Sequence, residues 1–308
     1  MNSFTPSYRK LLESGALKER VDQALKLLED CIVCARYCHV NRLKGELGVC
    51  KVGRYARVAS YGPHHGEEDV LRGWNGSGTI FFSGCSLSCQ YCQNFAISQD
   101  PKSGYEVTAE QLADIMLELQ HSGCHNINLV TPSHVVPQIL EAVYISAQKG
   151  LSLPLVYNTG GYDSLEMLKI LDGIIDIYMP DMKYADEKLA RKYSKVKDYP
   201  QINQKAVLEM HRQVGDLILN DEGLALKGLL IRHLVLPNHI GGTKEIMHFI
   251  ATKISKNTYI NIMDQYFPSY KAFKYPEIDR RITKEEFEEA IRAAHDEGLY
   301  RLDKADVL

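Results

Sequence analysis

The sequence predicts an α/β chain whose larger part is a partial (β/α)6 TIM-like barrel, preceded by a small N-terminal cysteine-rich metal-binding extension. Three observations carry this expectation. Short apolar runs rich in β-branched residues alternate six times with amphipathic helical segments. Polar and sulfur-bearing residues recur just after those runs, where a parallel α/β sheet gathers its loops. All cysteines but Cys124 fall into two clusters, one ahead of the first run and one directly after it. Short connections between successive units imply right-handed crossovers, and closure over only six strands leaves the barrel partial.

In chain order, Leu17 to Asp30 places Val21, Ala24, Leu25 and Leu28 at helical spacing. The turn-rich stretch with Cys31, Cys34, Cys38 and Cys50 has little core of its own and reads as a metal-stapled knuckle, holding zinc or a second iron–sulfur cluster. Residues 1–60 are expected to form this extension and residues 61–308 the barrel with its C-terminal extension. Tyr55 to Tyr61 is an expected strand, followed by a charged turn whose His65 and Glu67 are acid/base candidates if it lines the cavity. The six barrel strands are expected at Thr79–Phe82, Asn126–Val130, Leu155–Tyr157, Ile174–Met179, Leu229–Leu236 and Tyr259–Ile262. Capping boxes at Thr108/Gln111 and Thr283/Glu286 mark two helix starts.

Composition narrows the class. With 308 residues, 45% hydrophobic and 24% charged, the chain can bury one large core plus an appendage, and a disordered protein is excluded. A formal net charge of -3 gives no global attraction to nucleic acid or an anionic membrane, so neither is expected as a partner. No apolar run approaches the roughly 20 residues that span a bilayer, and Met1 to Lys18 lacks a signal peptide's apolar core. The expected compartment is therefore the cytoplasm, where clustered cysteines read as metal ligands. Cys124, alone at a strand start, reads as a small buried hydrophobe.

The most informative stretch is Gly78 to Asn94. Its Cys85, Cys89 and Cys92 follow a strand with C-x3-C-x2-C spacing, so three thiolates can converge on one face of an inorganic cluster. Three ligands leave one iron of a [4Fe-4S] cube open. Three neighbouring cysteines cannot all pair as disulfides, and no second C-x2-C pair follows directly, as a zinc loop usually presents. Further polar residues collect after the other strands: Thr131 and Ser133, Asn158 and Thr159, Asp181 and Lys183, then Tyr266, while His233 lies within the fifth strand. Each alone suits a helix cap or turn, but their recurrence points to one cavity.

At these residues the sequence resembles the radical S-adenosylmethionine (SAM) superfamily, whose signature is this cysteine spacing with an aromatic residue, here Tyr91, before the last cysteine. The resemblance implies that the open iron chelates SAM and that one electron cleaves the sulfonium to a 5′-deoxyadenosyl radical. Over the whole chain the sequence resembles the pyruvate formate-lyase activating enzyme-related proteins. That resemblance places Asp181-Met182-Lys183 and the Arg232-His233 pair at SAM-contacting positions, with Lys183 on the SAM carboxylate, His233 on the carboxylate or ribose, and Asp181 in a supporting role. Asn158-Thr159 falls at a further SAM-contacting turn. The Gly-Gly-Glu that receives the SAM amino group in activating enzymes is absent here, and Thr131 and Ser133 occupy its place. A reducing partner such as flavodoxin or ferredoxin is implied. The substrate follows as a glycyl radical enzyme, or alternatively a small molecule or peptide; a third reading is a non-catalytic metal-binding interaction module. The extensions before the first strand and after Tyr266 are expected to cap the barrel mouth in part, with Tyr266 and His65 on its wall.

Overall fold

The computed structural model describes residues 4–100 and 102–303. Helices α1 (Ser7–Glu13) and α2 (Ala16–Lys26) precede the irregular knuckle. Then come β1 (Ala56–His64), α3 (Asp69–Arg72), β2 (Ser77–Phe82), α4 (Phe95–Ser98) and β3 (Tyr105–Val107). The alternating units follow as α5 (Ala109–His121), β4 (Ile127–Val130), α6 (Val136–Gln148), β5 (Leu155–Thr159), α7 (Leu165–Ile170) and β6 (Ile177–Pro180). The chain continues through α8 (Glu187–Ser194), α9 (Tyr199–Val214), β7 (Ile218–Leu219), β8 (Ala225–Leu234), α10 (Thr243–Phe249), β9 (Tyr259–Met263) and α11 (Lys284–Asp296).

The six expected barrel strands are β2, β4, β5, β6, β8 and β9, paired in parallel in that order. Their near-continuous apolar character follows from burial on both faces, since helices cover the outside. Both capping boxes form, with Thr108 on Gln111 and Thr283 on Glu286, which fixes the starts of α5 and α11. β1 lies antiparallel on β2 and extends the sheet away from the barrel. At the other end, the β9 edge is met by the C-terminal segment. There the Ile260 amide donates to Arg301 O (2.9 Å) and the Asp303 amide to Ile260 O (2.8 Å).

The domain boundary expected after residue 60 falls inside β1. Tyr8, Leu17 and Leu28 share one buried apolar cluster with Ile80, Leu129 and Tyr157, so the N-terminal helices pack continuously with the barrel. Tyr8 donates its hydroxyl to Leu153 O at 2.9 Å, and Arg9 reaches Ala147 O at 2.7 Å, which fixes α1 to the end of α6 on the outer wall. The first three and last five residues of the two expected segments lie outside the described residues. No described helix is long and apolar enough to cross a membrane. Cys124 is buried, as its position ahead of β4 suggests.

Candidate functional site

β2 ends in a loop that holds Cys85, Cys89 and Cys92. Gly84 turns into it with φ 81°, and a Cβ there would lie 2.7 Å from Cys50 O, so knuckle and loop meet where only glycine fits. The loop backbone is pinned by Ser88 N–H to Ser194 O (3.1 Å) and Gln90 N–H to Tyr193 O (2.7 Å). Each sulfur has a polar neighbour. The Leu87 amide donates to Cys85 Sγ (3.3 Å), the Ser194 hydroxyl lies 3.0 Å from Cys89 Sγ, and the Ser98 hydroxyl lies 3.2 Å from Cys92 Sγ. Burial pushes the Cys85 thiol up to about 12 and the Cys89 thiol up to about 11, Lys183 opposing the rise at Cys89. Thiolates form in such a place only with a cation to hold them.

This donor set fits an iron–sulfur cube. Sulfur ligands on three separate irons, with amide and hydroxyl donors directed at them, are the surroundings that hold and tune such a cluster. Among the described residues no three Cys, His, Asp or Glu side chains stand in the geometry of one metal ion. Three corners of a cube take thiolates that stand farther apart than the ligands of one tetrahedral ion.

Beside the cysteines lies a cavity of about 200 Å³, lined by Cys89, Cys92, Asp181, Lys183, Arg232 and Met263, among others. A larger groove of about 540 Å³ between the β8–α10 loop and α11 carries none of the cysteines. Lys183 Nζ bonds Asp181 Oδ2 at 2.6 Å. Arg232 Nε bonds Asp181 Oδ1 at 3.0 Å, and its Nη2 donates to Asn158 Oδ1 at 2.6 Å. Burial would raise the Asp181 carboxyl, but Arg232 and Lys183 outweigh it and hold that group below its usual range. The cavity lining thus sets Lys183 and Arg232 against one carboxylate, Asp181, an arrangement suited to an anionic ligand group. Of the Arg232-His233 pair that the resemblance places at SAM-contacting positions, Arg232 lines this cavity.

Below this layer Glu67 faces Arg232 Nη1 at 3.7 Å and accepts from Asn128 Nδ2. Burial, with Glu68 beside it, pushes the Glu67 carboxyl up to about 7, against the pull of Arg232. Glu67 therefore belongs to the barrel lumen. His65 does not: β1 runs antiparallel to β2, so its end at His64 pairs with Ser77, at the barrel end opposite the cysteines, and His65 is exposed.

Other expected ligands are committed elsewhere. His233 is fully buried; its Nδ1–H donates to Met182 O (2.7 Å), which leaves Nε2 to accept from the Thr243 hydroxyl (2.9 Å). Burial lowers its pKa, so the neutral ring has no free nitrogen for SAM and instead braces the Asp181–Lys183 turn. Ser133 and Thr159 bond each other at 2.9 Å, and Thr159 donates to buried Asp163 at 2.8 Å, which closes a network beneath the surface. Thr131 takes φ 61° and gives its backbone amide to Asn158 O (2.9 Å), joining two strand-end loops. Tyr266 is 1% exposed, packs edge-on against Tyr91 and donates to Ile278 O (2.7 Å), so it is core under the loop and not cavity wall.

The knuckle stands directly against the cysteine loop. Arg36 Nε donates to Ser86 O (2.6 Å), and buried Arg42 donates to His134 O (2.7 Å) and Gly53 O (2.8 Å). Cys31, Cys34, Cys38 and Cys50 lie near enough for mutual charge repulsion to act on Cys34, whose pKa burial raises. His39 is exposed on Asp30 at 3.0 Å, pointing away from a ligand role. The expected cap is thus split. Helices of the N-terminal extension lie on the outer wall, whereas the knuckle and the segment after β9 flank the cysteine loop, where Gln93 Nε2 donates to Gln265 O (3.1 Å).

The family model for the radical SAM superfamily matches residues 79–249. An uncharacterized protein of Methanocaldococcus jannaschii, MJ0674, is 32% identical over 295 residues, covering 94% of this chain and 81% of that protein. A second from that organism, MJ0808, is 25% identical over 269 residues, covering 80% and 73%. Among solved structures, methylornithine synthase (PylB) aligns with TM-score 0.49 and 17% identity over 71% of this chain and 62% of its own. Streptococcus suis SuiB bound to precursor peptide SuiA aligns with TM-score 0.48 and 13% identity over 69% of this chain, which spans only 43% of that structure's. With the family model covering more than half of its length and a relative of this identity spanning nearly all of it, the chain belongs to the radical SAM superfamily, whose members bind a [4Fe-4S] cluster and SAM.

Proposed function

We propose that Cys85, Cys89 and Cys92 hold the [4Fe-4S] cluster and that the cavity beside them binds SAM for reductive cleavage followed by hydrogen abstraction from a substrate. The observation that carries this is the juxtaposition of three thiols, each with a polar neighbour, and the Lys183–Asp181–Arg232 array across one cavity. Held there, a cluster would supply the one electron that cleaves the SAM sulfonium to methionine and a 5′-deoxyadenosyl radical. Lys183 and Arg232 neutralise the methionyl carboxylate, with Asp181 setting their positions. His233 holds the turn at Met182, and the Ser133–Thr159–Asp163 network keeps the neighbouring loop rigid. The buried aromatic layer of Tyr91, Tyr184 and Tyr266 screens the cysteine loop from water on its inner side.

Resemblance to the activating enzyme-related proteins favours a glycyl radical enzyme as substrate, with hydrogen taken from a backbone glycine. A second reading, modification of a small molecule or peptide, is favoured by the small cavity and by the two segments that flank it. Anaerobically reconstituted protein should form 5′-deoxyadenosine from SAM under dithionite, and a variant with all three cysteines replaced by Ala should not. Persistence of the product in that variant would overturn the assignment. A glycyl radical signal on a co-incubated partner enzyme would then separate the first substrate reading from the second.

A further inference from the structure

Beside the cysteine loop runs an exposed strip of aromatic rings and cations that neither the fold nor the SAM cavity uses. Phe95, three residues after Cys92, is 41% exposed, Phe267 is 40% and Phe273 is 63% exposed. Tyr270 stacks on Phe95 with ring centroids 5.3 Å apart. Three cations lie over these rings: Lys271 over Tyr270 at 4.5 Å, Lys274 over Phe273 at 5.8 Å and Arg281 over Phe267 at 5.7 Å. Among the described residues none of the three has a carboxylate partner, whereas neighbouring Arg280 is tied to Glu286 and Lys192 to Glu277. The exposed carboxylates Asp264 and Asp279 leave the strip positive.

The strip is fixed to the cysteine loop. Lys271 N–H donates to Gln90 O at 2.8 Å, and Gln90 lies between Cys89 and Cys92. Tyr270 is held at φ 53°, a conformation that bulky residues disfavour and that is sustained only where its surroundings demand it. A row of exposed rings costs solvation and marks a contact surface, and lone cations at its edge select for negative charge on whatever sits there.

We propose that this strip docks an acidic one-electron carrier protein that reduces the cluster. The inference rests on the proposed SAM cleavage, which consumes one electron at each cleavage, so the carrier must arrive, deliver and leave. A small charged-aromatic patch suits such an encounter, since electron-transfer contacts lie at the small end of protein interfaces and are steered by charge. One electron leaves the carrier and enters the cluster; no bond is made or broken.

The test uses the reconstituted holoenzyme with two reductants, dithionite and fully reduced flavodoxin as the acidic carrier. In a Lys271→Glu, Lys274→Glu, Arg281→Glu variant, 5′-deoxyadenosine formation driven by flavodoxin should fall at least tenfold at low salt and lose its salt dependence. Formation driven by dithionite should stay at the wild-type rate. Phe273→Ser, which leaves the charges in place, should slow the flavodoxin-driven reaction alone. An unchanged flavodoxin rate in the triple variant overturns the proposal, as does an equal loss with both reductants. A loss confined to turnover of an added substrate protein, with reduction unchanged, would give the strip to the substrate and also overturn it. Wild-type protein that forms no 5′-deoxyadenosine even with dithionite would instead refute the proposed SAM cleavage, a separate outcome.

Discussion

Replacing Arg232 with Met tests whether the buried charge layer holds the site together. Arg232 has 16% of its side chain exposed and serves Asp181, Asn158 and Glu67 at once. Met keeps much of the volume but leaves Asp181 to Lys183 alone and removes the cation that faces Glu67 at 3.7 Å. Taking one partner from a buried ion pair typically costs about 3–5 kcal/mol, because the remaining charge stays desolvated. For a chain of this size, at about 2 °C per kcal/mol, that corresponds to a Tm lower by about 6–10 °C. Thermal and urea unfolding of the wild type, Arg232→Met, Glu67→Gln and the double variant would measure it. Above about pH 7, where Glu67 ionises beside Arg232, the neutral glutamine removes the charge that Met strands, so at such a pH the double variant should recover about 1 kcal/mol or more relative to additivity. A loss below about 1 kcal/mol in Arg232→Met, with no coupling to Glu67, would refute the account of Arg232 as the central tie.

Other outcomes follow from the same geometry. Lys183→Ala should weaken SAM binding by about 1.5–3 kcal/mol, roughly ten- to a hundredfold in Kd, while Asp181 stays held by Arg232; calorimetric titration with SAM that gives near-normal affinity would move the carboxylate elsewhere. Glu67 keeps a proton in the folded chain between about pH 4.5 and 7 that the unfolded chain has released, so stability should fall as pH rises through that window. Glu67→Gln should remove that slope, roughly 3 kcal/mol over its span at about 1.4 kcal/mol per pH unit, as read from urea unfolding at stepped pH. If the knuckle holds a metal centre of its own, replacing Cys31, Cys34, Cys38 and Cys50 with Ser should lower metal content beyond one cluster's iron and expose the segment around Arg42 to protease first, whereas unchanged metal and protease resistance would leave those thiols structural.

What the sequence determined by itself was local in kind. Short continuous apolar runs between helical stripes located the six parallel strands, because burial on both sheet faces leaves few other compositions. Capping boxes at Thr108 and Thr283 set helix starts through contacts only three residues apart. Cys85, Cys89 and Cys92 were legible as a group because their spacing is itself local. Short edge strands β3 and β7 and the amphipathic α8 escaped notice, since two or three residues at an edge, or eight beside a turn, carry little periodic signal. The direction of β1 was also beyond reach. An apolar run reads the same in both senses, and only its antiparallel pairing with β2 sends His65 to the far end of the barrel while Glu67 turns into the lumen. Tertiary structure alone decided which polar strand-end residues face the cavity. His233, Ser133 and Thr159 have the residue types of ligands, yet their hydrogen bonds are used up by neighbours as far as 51 positions away or by partners on other loops. Arg232, a charge in the apolar run from Leu229 to Leu236, gains three partners that lie up to 165 residues from it, and no pattern in the chain could count those before folding brought them together.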